Sequence, residues 1–335
     1  MSAVPADPVE REGAGGPAVE APASKPAVQA AAAVSASAPA TLSRSRSAWR
    51  DLLVQLFESR LATAASVLLV VVVLAVTLAP WIAPQNPYDL GSLDILDSKL
   101  PPGSLSGDGT MRYWLGSDEQ GRDLLSTILY GLRISLYVGV LATSGALLIG
   151  TLMGLIAAYA RGWVDSLIMR IVDIQLALPG VLIALMLLSI LGKGIDKVVI
   201  ALVVGGWAFL ARAARASAMV ERDKEYMEAA LGLGFSPARR LLRHLLPNCM
   251  PPLMVLATIG FAEAIAAEAA LSFLGVGVPA SEPSLGMLTA NGFDYLMSGK
   301  YWLSLFPGLA LALTILAFNI VGDRLRQIVN PRGVR

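Results

Sequence analysis

Groups able to do covalent chemistry are scarce in this chain of 335 residues. It has one histidine, His244, and one cysteine, Cys249. Zinc sites draw on several His and Cys ligands, so neither a structural nor a catalytic zinc has a ligand set here. A single thiol also excludes an internal disulfide. No G-x-x-x-x-G-K-[ST] run occurs, because Gly192-Lys193 and Gly299-Lys300 lack the upstream glycine. The chain therefore has no loop of that kind to cradle ATP phosphates. His244 stands among arginines, with no Ser, Cys or Asp partner placed beside it by sequence. Catalytic residues, metal ligands and cofactors are accordingly expected to be none.

The acidic residues say more. Glu263 and Glu268 lie inside an apolar stretch. A charge at the centre of a bilayer costs at least ~2.5 kcal/mol on insertion scales, so each must face a wet cavity or a packed bundle interior. Five positions apart on a helix, they point roughly 140° from one another, which argues against one paired site. Both are candidates for lining a pathway; an interhelical hydrogen bond explains either one equally well. Glu228 sits in a basic loop and is read as a docking contact, with a solvated helix charge as the plain reading.

These residues need elements to hold them. Hydrophobic side chains make up 55% of the chain, charged ones 15%, and mean hydropathy is +0.64. A soluble fold requires about 25% charged residues, so an all-α membrane protein is expected. The net charge of +1 gives no reason to expect nucleic acid as a partner. Residues 1–43, rich in Ala and Pro, have too little apolar surface to offset ordering entropy and read as a disordered cytoplasmic tail. Residues 44–60 form a cytoplasmic pre-span segment, and 61–335 a transmembrane domain. A span needs about 20 apolar residues. Windows grown from charge-free, apolar runs place six, at about 61–83, 134–160, 172–192, 198–217, 250–274 and 301–322. With both termini inside, the inside segments beyond the tail carry 17 Lys and Arg against 7 outside, which favours an N-in, C-in orientation. Pro179 predicts a kink in span three. Gly150, Gly154 and Ala158 form a small-residue stripe suited to close helix packing.

Two long loops remain, an outside one at 84–133 and an inside one at 212–248. The inside loop reads as two short helices about a glycine hinge. Gly232 and Gly234 offer left-handed positions that end the first helix. Ser236 is a good N-cap and Pro237 a good first helical residue of the second. Arg239, Arg240, Arg243 and His244 oppose Leu241, Leu242, Leu245 and Leu246 at helical spacing, and Pro247 is expected to stop that helix. Such a hairpin is a docking surface or an amphipathic element lying on the membrane interface.

Here the chain resembles a known family. Glu225-Tyr226-Met227-Glu228-Ala229-Ala230, Gly234 four residues on, and His244-Leu245-Leu246-Pro247-Asn248 resemble the E-A-A signature of binding-protein-dependent ABC importer permeases. The form is that of the C-type permease of the dipeptide, oligopeptide and nickel group. Leu115-Gly116-Ser117-Asp118, Gly121-Arg122-Asp123 with Ser126, and Leu271-Ser272-Phe273-Leu274-Gly275-Val276-Gly277 resemble further motifs of that group. So do Phe306-Pro307-Gly308, Asn319 with Gly322-Asp323, and Pro331-Arg332, so the resemblance covers residues 52–332 in order. Glu268 coincides with a Glu common in the group, whereas Glu263 matches nothing in its pattern. Thr127, Leu285 and Asn330 depart from it, standing where Arg, Trp and Asp are usual.

The resemblance implies a multi-pass protein of the bacterial inner membrane that forms half of a gated pathway for peptides or similar small solutes. Glu228, Ala229, Ala230, Gly234 and Pro247 would couple it to separate ATP-binding ATPase subunits. Its other partners would be a second, different permease subunit, a periplasmic or extracellular solute-binding protein, and the lipid bilayer. The competing reading, a stand-alone secondary transporter or channel, calls for inverted repeats or several intramembrane charges.

Overall fold

In a computed structural model of the chain, residues 54–89, 91, 93–279 and 281–329 are described. The expected tail over 1–43, and Asn330, lie outside them. The helices are α1 (Arg60–Thr77), α2 (Ala79–Ile82), α3 (Leu124–Ala160), α4 (Gly162–Leu176), α5 (Gly180–Leu191) and α6 (Ile195–Arg222). They continue with α7 (Glu225–Gly232), α8 (Pro237–Arg239), α9 (Leu246–Phe273), α10 (Leu285–Phe293) and α11 (Trp302–Val329). A π-helical turn over Arg240–Leu245 joins α8 to α9. Among the described residues β pairing is confined to two isolated bridges, Leu105 with Arg112 and Ser117 with Asp123.

Helices α1, α3, α6, α11 and the continuous run Pro237–Phe273 are each long and apolar enough to cross a bilayer, and α4 with α5 qualifies as a pair. Their outer faces carry exposed aliphatic side chains such as Leu61, Val67, Val70 and Leu148. An all-α membrane protein of six spans follows when the bent pair counts as one.

The spans run further than the charge-free windows. Span two begins at Leu124 rather than 134, and span four reaches Arg222 rather than 217. The 37 residues of α3 extend about 55 Å, well beyond a hydrocarbon core of about 30 Å. A window that stops at the first charge misses helix that continues into water, where Arg133, Arg212, Arg215 and Arg222 are welcome. The inside loop is correspondingly shorter than 212–248. Its first arginines belong to α6 and fasten α4 to it. Arg215 donates to both Asp165 carboxylate oxygens at 2.5 and 2.6 Å, and Arg212 pairs with Asp173 at 2.5 Å.

Span three departs most from expectation. In place of a kink, α4 and α5 meet at 88°. Pro179 lacks an N–H and pushes Leu178 away from helical geometry, which ends α4. The break is held from the side: the Gln175 amide donates to the carbonyls of Val204 and Gly205 on α6. At that point Gly180 and Gly205 bring two backbones together, and a Cβ on Gly205 would sit 3.4 Å from the Gly180 carbonyl oxygen. The 12 residues of α5 reach only about 18 Å, so the crossing uses both helices.

The small-residue stripe packs α3 on α6. A Cβ on Gly150 would lie 2.6 Å from the Trp207 carbonyl oxygen, and one on Gly154 would lie 2.4 Å from that of Ala211. The segment between α2 and α3 is laced by side chains. Asp123 caps α3, accepting from the Ser126 amide at 2.8 Å and hydroxyl at 2.6 Å, while the Gln85 side-chain oxygen accepts from the Asp123 amide at 2.7 Å. Asp118 and Arg122 form a buried pair at 2.7 Å, and Lys99 donates to the Tyr295 hydroxyl at 3.3 Å. Gly121, at φ +78, has no room for a Cβ, which would fall 2.1 Å from the Asp94 carbonyl oxygen. Burial holds the Asp123 carboxyl above the usual carboxylate range.

Candidate functional site

Two features of the inside end form one surface. The first is α7, which starts after Lys224 and ends at Gly234 in the left-handed region, φ +72. Met227 and Ala230 turn inward and are 5% and 4% exposed. Glu228, Ala229 and Gly234 are exposed. Of the five coupling candidates, then, Ala230 faces the protein's own interior, while Glu228, Ala229, Gly234 and Pro247 face outward. Tyr226 anchors the helix by donating to Glu221 at 3.0 Å. Burial, reinforced by that acceptor, pushes its phenol up to about 12, so it remains a donor at any physiological pH.

The second feature is the strand of helix that follows. Ser236 caps α8, its hydroxyl accepting from the Arg239 amide at 3.4 Å. Phe235 stacks on His244, ring centroids 5.5 Å apart, and the Arg239 guanidinium lies over the Phe235 ring, 4.2 Å from its centroid. Pro247 does not stop this helix. The preceding turn is π-helical, and the Leu246 amide bonds back to the Leu241 carbonyl, so Pro247 arrives in the first turn of α9, where a missing N–H costs nothing. Asn248 supplies a side-chain donor to the His244 carbonyl at 2.7 Å. Leu245, Cys249 and Leu253 then bury this stem against Leu155, Ala214 and Ala218.

Higher in α9 the two carboxylates part company, as their angular separation predicts. Glu263 lines a cavity of about 370 Å³ whose walls come from α3, α5, α6 and α9. Glu268 does not reach it. Its side chain is fully enclosed and accepts hydrogen bonds from Ser135 at 2.8 Å, Ser272 at 2.9 Å and Ser284 at 3.0 Å. Of the two roles open to Glu268, the geometry is that of an interhelical hydrogen-bond hub, tying α9 to α3 and to the residue that precedes α10. Sequence reasoning overlooked these three serines. Ser272 lies in one of the quoted motifs, but nothing in the pattern says that its hydroxyl points at Glu268.

Two of the departures from the family pattern are absorbed inside the chain. The Thr127 hydroxyl is buried and donates to the Asp123 carbonyl, at 2.5 Å. Leu285 is fully buried against Leu124, Ile128 and Leu132. Among the described residues no group of three or more His, Cys, Asp or Glu side chains could hold a metal ion.

Comparison with known proteins bears directly on this arrangement. Residues 146–334 match the family described as the binding-protein-dependent transport system inner membrane component, and residues 47–102 the N-terminal transmembrane domain of oligopeptide transport permease C. The chain belongs to that permease family. It is a membrane-spanning permease subunit of an ABC importer, a class that works with an ATPase and a binding protein. The permease is 35% identical over 286 residues to the dipeptide transport system permease protein DppC of Alkalihalophilus pseudofirmus, covering 85% of this chain and 90% of the relative. It is 38% identical over 264 residues to the di/tripeptide permease DppC of Pseudomonas aeruginosa, covering 79% and 86%. With the oligopeptide permease OppC of Bacillus subtilis it shares 33% over 289 residues, covering 86% and 91%. Among solved structures, the inward-facing methionine ABC transporter MetNI matches with a TM-score of 0.50 at 19% identity, over 61% of the permease and 96% of that chain. That likeness supports the fold.

Proposed function

We propose that this permease carries small peptides, as one half of a pathway completed by a second, different permease, and that α7 is its contact with the ATPase. The names of its relatives support the peptide class. The observation that carries the coupling role is the exposed edge formed by Glu228, Ala229 and Gly234, packed beside the start of a helical run that continues to the cavity. An ATPase that pulls on α7 also pulls on α8, on the π turn and on α9, because α7 packs on that stem through Met227. The permease supplies a path and a handle, and ATP hydrolysis occurs on the other chain.

Co-purification tests the docking role. Tagged permease is expected to retain its ATPase subunits, and the combined Glu228→Arg and Gly234→Trp variant to lose them. Equal retention by both forms, or by neither, would remove α7 from the coupling role. The solute class is tested separately, by titrating the cognate solute-binding protein with dipeptides, longer peptides and nickel complexes. Tighter binding of nickel complexes than of any peptide would overturn the peptide assignment.

A further inference from the structure

Glu263 is an ionisable side chain inside a span, on the wall of the 370 Å³ cavity, with no hydrogen bond or ion pair from any described residue. Its neighbour in that wall, the Thr143 hydroxyl, is shielded from solvent and also has no hydrogen-bond partner. Every other lining side chain is apolar or absent. Small residues such as Ala142, Gly180 and Gly260 mix with larger Leu202, Phe209 and Leu256, and no polar side chain besides Thr143 and Glu263 lies in the wall. Glu268, five residues on, shows how this bundle satisfies a carboxylate it uses for packing: three hydroxyls donate to it. Glu263 receives none of that treatment. Glu263 is instead exposed to the open cavity, so its carboxylate meets whatever charge enters there.

We infer that Glu263 is a charge-selecting residue of the translocation pathway and that it favours solutes carrying a protonated amine over those carrying an additional carboxylate. The inference rests on the reading of this chain as a peptide permease and narrows it. A wall of small and large apolar residues with one carboxylate fits a mixed set of peptides, which differ in side chain and share a protonated amine. That single carboxylate acts on any charge passing it, attracting cations and repelling anions.

The test uses the complete transporter, with both permeases, its ATPase and its binding protein, in proteoliposomes. Uptake of Ala-Lys, Ala-Ala and Ala-Glu is measured and normalised to assembled complex and to the binding protein's affinity for each. The wild type is expected to prefer Ala-Lys over Ala-Glu. Glu263→Gln is expected to lower that ratio about tenfold, Glu263→Asp to restore most of it, and Glu263→Lys to invert it. A ratio unchanged in Glu263→Gln, in a transporter that still takes up Ala-Ala, overturns the inference and leaves the peptide reading intact. Failure of the wild type to take up any of the three overturns the peptide reading and the inference with it.

Discussion

Hydroxyls from Ser135, Ser272 and Ser284 all donate to one carboxylate, that of Glu268, at a site without access to water. Glu268→Ala is expected to destabilise the permease by about 2–4 kcal/mol, since it leaves buried hydroxyls without their acceptor and opens a cavity. Glu268→Gln, which keeps the volume and one acceptor, should cost less. Unfolding by denaturing detergent in mixed micelles checks both. Asp123 is a smaller case of the same kind. It caps α3 from outside the span, and Asp123→Ala is expected to cost about 1 kcal/mol in the same assay. The roles of these two residues were unequally legible. An Asp before a helix, followed three residues on by Ser126, is a capping pattern open to reading. The hub of Glu268 is not, because Ser135 lies 133 residues away in sequence and is brought to it only by packing.

At the scale of the element, the α3–α6 contact depends on the absence of side chains. Gly154→Leu is expected to cost at least 1–3 kcal/mol, with loss of the monodisperse folded species on size-exclusion chromatography, because the first added carbon already collides with the Ala211 backbone. Apolar runs of 20 residues and a 3.6-residue stripe located the helices in the sequence. Their ends were poorly legible wherever a helix outruns the bilayer. Arg133 and Arg212 mark an interface between lipid and water and say nothing about where hydrogen bonding stops. The right-angled break between α4 and α5 was legible only as Pro179. Its size depends on Gln175 and on the Gly180–Gly205 approach, contacts between segments that sequence pattern does not pair. Pro247 misled in the other direction: a breaker in isolation, it is harmless two residues after a π turn.

At the scale of the whole molecule, the excess of basic residues at one end predicts which side each loop occupies. A cysteine at Asp108, in the segment before α3, is expected to react with a membrane-impermeant maleimide in intact cells. A cysteine at Ala238 is expected to react only after the membrane is opened. The opposite pattern would invert the topology. Cys249, being buried, should give little background. The run from Pro237 to Phe273 has a further consequence for motion within this frame. Glu268 and its serines tie that run to α3 near one end, and α7, the ATPase contact proposed above, packs beside the other. It is a lever with a fulcrum. From the fulcrum to Arg240 is about 42 Å, and from the fulcrum to Glu263 about 7.5 Å. A swing of the hairpin by 5 Å about that point would therefore shift the cavity carboxylate by only about 1 Å. On the pathway role inferred for Glu263, the charge offered to a solute would stay almost still through the stroke, while the inner end of the bundle opens and closes beneath it.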